Sequence, residues 1–176
     1  MTGPTLGQPT SGSTTDTVSG DPPQAAIGPT VTVVDDRSEC QIVVDANRWA
    51  QLAAQVLIDT FPGITEIEMG LHFVDSGAIA DLNRRHLHGD GPTDVMAFPL
   101  ETPGEVSNGL PVLLGDVLVC PTVAARQAAD AGRELDAELS LLVVHGVLHL
   151  LGYDHSEPEE RAVMQRLERE LLEGYA

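Results

Sequence analysis

Three histidines within eleven residues, His145-Gly-Val-Leu-His149-Leu-Leu-Gly152-Tyr-Asp-His155, are the side chains of this sequence best suited to chemistry. Residues four apart on a helix lie on one face, about 6 Å apart along its axis, so His145 and His149 can converge on one ion. Gly152 then breaks the helix and lets the chain turn back, which brings in His155 as a third nitrogen from the loop. Three protein ligands plus a water is the arrangement of catalytic zinc, whereas structural zinc is usually closed by four ligands. Water bound there becomes a usable hydroxide near neutral pH. The bland alternative is a set of satisfied core histidines. Half of the chain's six histidines fall in this stretch, on a helix that otherwise rejects polar groups. An unpaired buried polar group costs about 1–3 kcal/mol, which argues against accident. The sequence thus predicts one ion per chain at His145, His149 and His155, zinc first, with other divalent metals also suited to imidazole. It designates no catalytic side chain.

The spacing H-x3-H-x2-G-x2-H is shared with the metzincin proteases, so a zinc peptidase is the natural rival. In those enzymes the residue after the first histidine is Glu, the general base. Here it is Gly146, which has no side chain to accept or donate a proton.

The elements that must hold this site follow from periodicity. Residues 1–30 are Thr, Ser, Gly, Pro and Gln with almost no large apolar side chain, and are expected to be a disordered tail. A single domain is expected over 31–176. Val31–Val34 or Gln41–Val44 suits a first strand. Asp45 caps a helix with Trp49, Leu52, Val56 and Leu57 on one face, stopped by Pro62-Gly63. Ile67, Met69, Leu71 and Phe73 alternate as a half-buried strand within 66–74. Ser76 opens a short helix to about His86, and Val95–Phe98 is a short strand. Residues 101–111 read as a loop, and Val112–Cys120 as another strand. Pro121 starts a helix that Gly132 ends. Leu135–Leu151 is apolar nearly all round, so that helix is expected at the centre of the domain, with Gly152 as its left-handed cap. Ser156-Glu-Pro-Glu159 resembles a capping box before a last helix bearing Val163, Leu167 and Leu171. The fold class is α+β: a small mixed four-stranded sheet packed with about five helices.

Composition narrows the functions. A formal net charge of -18, with nine arginines as the only strong cations, repels phosphate backbones over most of the surface and leaves room only for a local Arg patch. Aromatics are 3% of the chain, so the core is aliphatic. Cys40 and Cys120 have no CxxC spacing and read as two buried thiols. No signal peptide or membrane span is evident, which predicts a cytoplasmic protein.

Against this background the histidine segment resembles the HGxLHLxGYDH signature of the bacterial YbeY-type endoribonucleases, the rRNA maturation factors. Pro92-Thr-Asp-Val-Met-Ala-Phe-Pro99 is similar to that family's PTDVLSFP segment, and Leu114-Gly-Asp-Val117 to its LGDI element. The resemblance implies a single-strand-specific, zinc-dependent endoribonuclease acting in small-subunit rRNA maturation and ribosome quality control. It implies zinc on His145, His149 and His155. Implied partners are single-stranded or ribosomal RNA and the ribosome or its assembly proteins, with neither DNA nor membrane. The family's Arg before the PTDV segment falls on Leu87 here, leaving Arg84 or Arg85 as substitutes unless they form a solvated helix face. Ala97 replaces the family's Ser. Asp94 and Asp154 are candidates to orient a ligand histidine, with turn chemistry as the alternative. Besides the peptidase, a metal-stabilised ribosome-assembly factor that cuts nothing is a further reading.

Overall fold

A computed structural model of the chain describes residues 28–38, 42–62, 66–102 and 110–175. Along it run β1 (Thr30–Asp35), α1 (Ala46–Thr60), β2 (Ile67–Phe73), α2 (Ser76–His86), β3 (Val95–Pro99), β4 (Val112–Val119), α3 (Pro121–Asp130), α4 (Leu135–Leu150) and α5 (Pro158–Glu173). The strand order is β1-β2-β4-β3, with β1, β2 and β4 parallel and β3 antiparallel to β4. This is the mixed four-stranded sheet with five helices expected of an α+β fold. Among the described residues no helix is long and apolar enough to cross a membrane. Most of the expected tail (to residue 27), Cys40, Gln41, Gly63 and residues 103–109 of the expected loop lie outside the described residues.

Of the two candidate first strands, the earlier one forms. Val43 is instead 93% exposed, outside the sheet. The alternation along β2 is real: Ile67, Met69, Leu71 and Phe73 are all buried. Asp45 caps α1 by accepting the backbone N–H of Arg48, and Trp49, Leu52, Val56 and Leu57 join the core. Cys120 is a buried free thiol at the start of α3, as expected for that cysteine.

α4 is the centre of the molecule. Its buried residues include Leu139, Val143, Val144, Val147, Leu148 and Leu150, spread round the whole helix, and it packs against α1, α3, α5, β3 and β4. A helix with no polar face has nowhere else to go, because every side must find an apolar neighbour. At its end Gly152 adopts φ 89°. The Gly152 N–H donates to the His149 carbonyl and the Tyr153 N–H to the Leu148 carbonyl, both at 3.0 Å. That is a Schellman turn, and it reverses the chain immediately after the second histidine.

Two local expectations need correction. The Ser156–Glu159 segment is not a capping box. Glu157 occupies the cap position without a side-chain bond, Pro158 follows it, and the Ser156 hydroxyl donates to Asp154 instead. Proline at the first helical position removes one of the N–H groups a cap would have to satisfy. The buried face of α5 also runs through Met164 and Leu171, while Val163 is 38% exposed.

The Leu-Gly-Asp-Val segment has a mechanical reason. Register between β2 and β4 steps from Glu68↔Leu113 to Met69↔Gly115, so Leu114 is the extra residue of a bulge. Gly115 has φ 126°, and a Cβ there would sit 2.1 Å from the Phe98 carbonyl oxygen. Only glycine lets β3 close on β4 at this point.

Candidate metal centre

His145 and His149 stand one turn apart on α4 with their Nε2 atoms 3.1 Å from each other. His155, delivered by the turn at Gly152, places its ring centroid 5.6 Å from that of His145 and 5.0 Å from that of His149. One nitrogen from each of the three rings lies within 4.8 Å of the others. The first two rings are half-buried and the third is exposed.

Each ligand candidate is held from behind. The Nδ1 of His145 lies 2.7 Å from Oε1 of Glu168, a carboxylate only 12% exposed on α5. That contact fixes the tautomer and leaves Nε2 facing the other histidines. The Schellman turn folds the chain back beside His149 at Tyr153. Burial, followed by the neighbouring His145 and His155, holds the His149 pKa below that of a free imidazole, against the weaker opposing pull of Asp154. A ring kept neutral is in its metal-binding form. His155 is anchored through its backbone. Asp154 accepts its N–H at 2.6 Å, and Arg161 donates to its carbonyl through Nε at 3.1 Å and Nη2 at 3.0 Å.

The donor set fits a divalent ion. With metal–nitrogen bonds of about 2.05 Å, two ligands of a tetrahedral ion stand roughly 3.3 Å apart. The 3.1 Å separation of the first two ring nitrogens is close to that. Neighbouring imidazoles directing nitrogens at one point, each with its other edge or its backbone tied down, are hard to explain as core packing alone.

The aspartates proposed as orienting groups do other work. Asp94 accepts from the Thr93 hydroxyl at 2.9 Å and the Val95 N–H at 2.8 Å. Asp154 takes the Ser156 hydroxyl and the His155 N–H, which hold its carboxyl below the usual range. Both bond to their own neighbours in the chain. The orienting carboxylate is Glu168, 23 residues downstream of its histidine. Its signal lay in the last helix: it sits four residues after Met164 and three before Leu171, inside the apolar stripe, where a carboxylate needs a partner.

A cleft of about 620 Å³ opens onto the triad between β3 and α4. Its wall is largely apolar, with Leu87, Ala97, Leu141 and Leu142, and among the described residues no arginine lines it. Leu87, 64% exposed, therefore stands at the cleft where the resemblance puts an Arg. Arg84 pairs with Asp81 at 3.0 Å on the solvated face of α2, and Arg85 is exposed and absent from the cleft, so neither takes the place of Leu87. Sequence reasoning also missed Glu138, a buried carboxylate lining the same cleft and paired with Arg133 at 2.6 Å.

Gly146 is fixed by packing. A Cβ there would lie 2.5 Å from Cγ1 of Val117 on β4. Val117 is fully buried and β-branched, so it has no free rotation with which to give way. The helix–sheet contact leaves no room for the glutamate that the protease pattern requires at this position.

Glu168 gives a direct test of the support around His145. Glu168→Ala is expected to weaken metal affinity about 10- to 100-fold, and Glu168→Gln less, since the amide oxygen can still accept the ring N–H. Competition against a chromogenic chelator measures both. Equal losses in the two variants would show that charge matters rather than the hydrogen bond.

The geometry can be set beside known proteins. A sequence model of the family Endoribonuclease YbeY matches residues 33–176. Endoribonuclease YbeY of Thermobifida fusca is 43% identical over 147 residues, covering 81% of this chain and 93% of that protein. Endoribonuclease YbeY of Bifidobacterium longum subsp. infantis is 43% identical over 141 residues, covering 79% and 77%. The solution structure of TM1509 from Thermotoga maritima shares the fold at a TM-score of 0.51 and 23% identity, covering 82% of this chain and 91% of that one. From the histidine segment through the bulged Leu-Gly-Asp-Val strand to the helix that closes the site, this chain belongs to the Endoribonuclease YbeY family.

Proposed function

We propose that this chain is a metal-dependent endoribonuclease that cuts single-stranded RNA, with zinc held by His145, His149 and His155. The observation that carries the proposal is the convergence of three imidazoles, with nitrogens within 4.8 Å, at the mouth of a cleft. What a divalent ion supplies in such a site is polarisation of a phosphoryl oxygen and a water acidic enough to attack at neutral pH. The chain's own residues do the rest. Glu168 orients the His145 ring, Asp154 and Arg161 anchor the His155 loop, and the apolar wall limits access by water. A cleft between one strand and one helix suits an extended, unpaired strand better than a duplex. We further propose a role in small-subunit rRNA maturation and ribosome quality control in the cytoplasm, as the resemblance carried by the histidine segment implies. Residues 31–176 would carry the whole activity as one domain, with residues 1–30 dispensable for folding.

The test is metal analysis joined to an RNase assay on the full-length protein. We expect about one zinc per chain, cleavage of a single-stranded oligoribonucleotide, little cleavage of the duplex, and loss of activity on chelation with recovery on adding zinc. The arginine-free cleft favours one second reading, an assembly factor that cuts nothing. Zinc-loaded protein that leaves single-stranded RNA intact yet sediments with ribosomes would establish that reading and end the first.

A further inference from the structure

The main cleft poses an electrostatic problem: it is lined by Asp94, Glu138 and Glu168, and an RNA strand brings further negative charge. Five of the nine arginines are committed to carboxylates, namely Arg37 with Asp35, Arg48 with Asp136, Arg84 with Asp81, Arg133 with Glu138 and Arg166 with Glu170. Among the described residues Arg85, Arg126, Arg161 and Arg169 show no such pairing. Of these, among the described residues, only Arg161 reaches the histidines. It lines a second cleft of about 360 Å³ on the α5 side of the triad, together with Gln165. The two clefts share His145, His155 and Glu168, so both border the metal ligands.

We propose that Arg161 is the phosphate-contacting cation of this site, on the opposite flank from Leu87. The inference rests on the RNA reading above. The guanidinium has five N–H donors in a planar fork. Nε and one N–H of Nη2 donate to the His155 carbonyl, and Nη1 has no protein partner among the described residues. The bond to His155 presents the remaining donors within one residue of a metal ligand, and a charge-assisted bond from them to a phosphate is among the strong contacts available to a protein. The strand would enter over Arg161 and Gln165, pass the histidines, and leave along the apolar wall at Leu87 and Ala97. One flank would then read charge and the other would take bases.

The experiment compares wild type, Arg161→Ala and Arg161→Lys, with Arg169→Ala as a control on the same helix. Kinetics on a single-stranded oligoribonucleotide are followed across a salt series, and zinc affinity by chelator competition. With zinc kept saturating, Arg161→Ala should raise KM about tenfold and flatten the slope of log(kcat/KM) against log salt by about 0.7, one phosphate's worth for a single strand. Zinc affinity should fall in Arg161→Ala as the His155 loop loses its brace, and Lys should restore the salt slope because it keeps the charge. Arg161→Ala with an unchanged salt slope, whether or not zinc affinity falls, overturns the proposal and leaves Arg161 a brace for the His155 loop. Lys behaving as Ala in the salt series overturns it as well. Wild-type protein inert toward RNA would instead sink the reading on which the inference rests, a result distinct from the other two.

Discussion

Replacing His149 by alanine should abolish stoichiometric zinc binding and reduce RNA cleavage on the order of a thousandfold, about 4 kcal/mol of lost transition-state stabilisation. His149 is the central member of the triad, with its Nε2 3.1 Å from that of His145 and its ring neutral through burial. Two ligands, one of them on an exposed loop, cannot hold the ion against water. The fold should survive, because alanine is the best helix former and the ring is only half-buried. Metal content, oligoribonucleotide cleavage and circular dichroism on one preparation check all three statements. Undiminished cleavage by a metal-free His149→Ala protein would place the activity elsewhere, or in a contaminant.

The second large effect is on stability. Gly115→Ala should cost about 3–5 kcal/mol, a large share of the 5–15 kcal/mol that typically holds a domain together. Two penalties add. The backbone at φ 126° is one that a side chain tolerates poorly, and the new methyl would sit 2.1 Å from the Phe98 carbonyl oxygen. Relief requires β3 to move off β4, and β3 is one wall of the cleft. Gly132→Ala is the control: it shares the positive φ, at 64°, but has nothing within 4 Å of the new Cβ. It should cost only about 1–2 kcal/mol. Urea midpoints separate the two. Equal losses would mean that the Phe98 contact carries no weight.

The histidine triad and the helix bearing it were legible because their signals are local. Four-residue spacing, an all-apolar helix and a terminal glycine all fall within one short segment. β2 was legible for the same reason, its alternation being complete over seven residues. What escaped depended on residues far apart in sequence. Glu168 reaches His145 from another helix, and nothing near either residue names the other. Asp154 was attractive because it adjoins a ligand in the chain, and Asp94 less so, yet each carboxylate satisfied its nearest N–H and hydroxyl first. Short side chains of this kind tend to bond locally, so sequence adjacency to a ligand is a poor guide to contact with it. The capping box failed similarly, since Ser156 had a carboxylate within reach. The gap at Leu87 was visible in the sequence. That the compensating cation would be a residue already holding a ligand loop was not.

The contact between Gly146 and Val117 has a consequence for how such an enzyme could change its trade. Acquiring the protease pattern looks like a single replacement, glycine by glutamate, beside a ready-made ligand set. The close approach of α4 to β4 makes that single step a loss, because the new side chain meets a buried, immobile neighbour before it can reach the ion. Val117 would have to shrink first, and that change alone opens a cavity with nothing gained in return. The two substitutions are useful only together, so each intermediate is worse than either end. Packing behind the site, as much as chemistry within it, thus separates two hydrolases that share a ligand spacing.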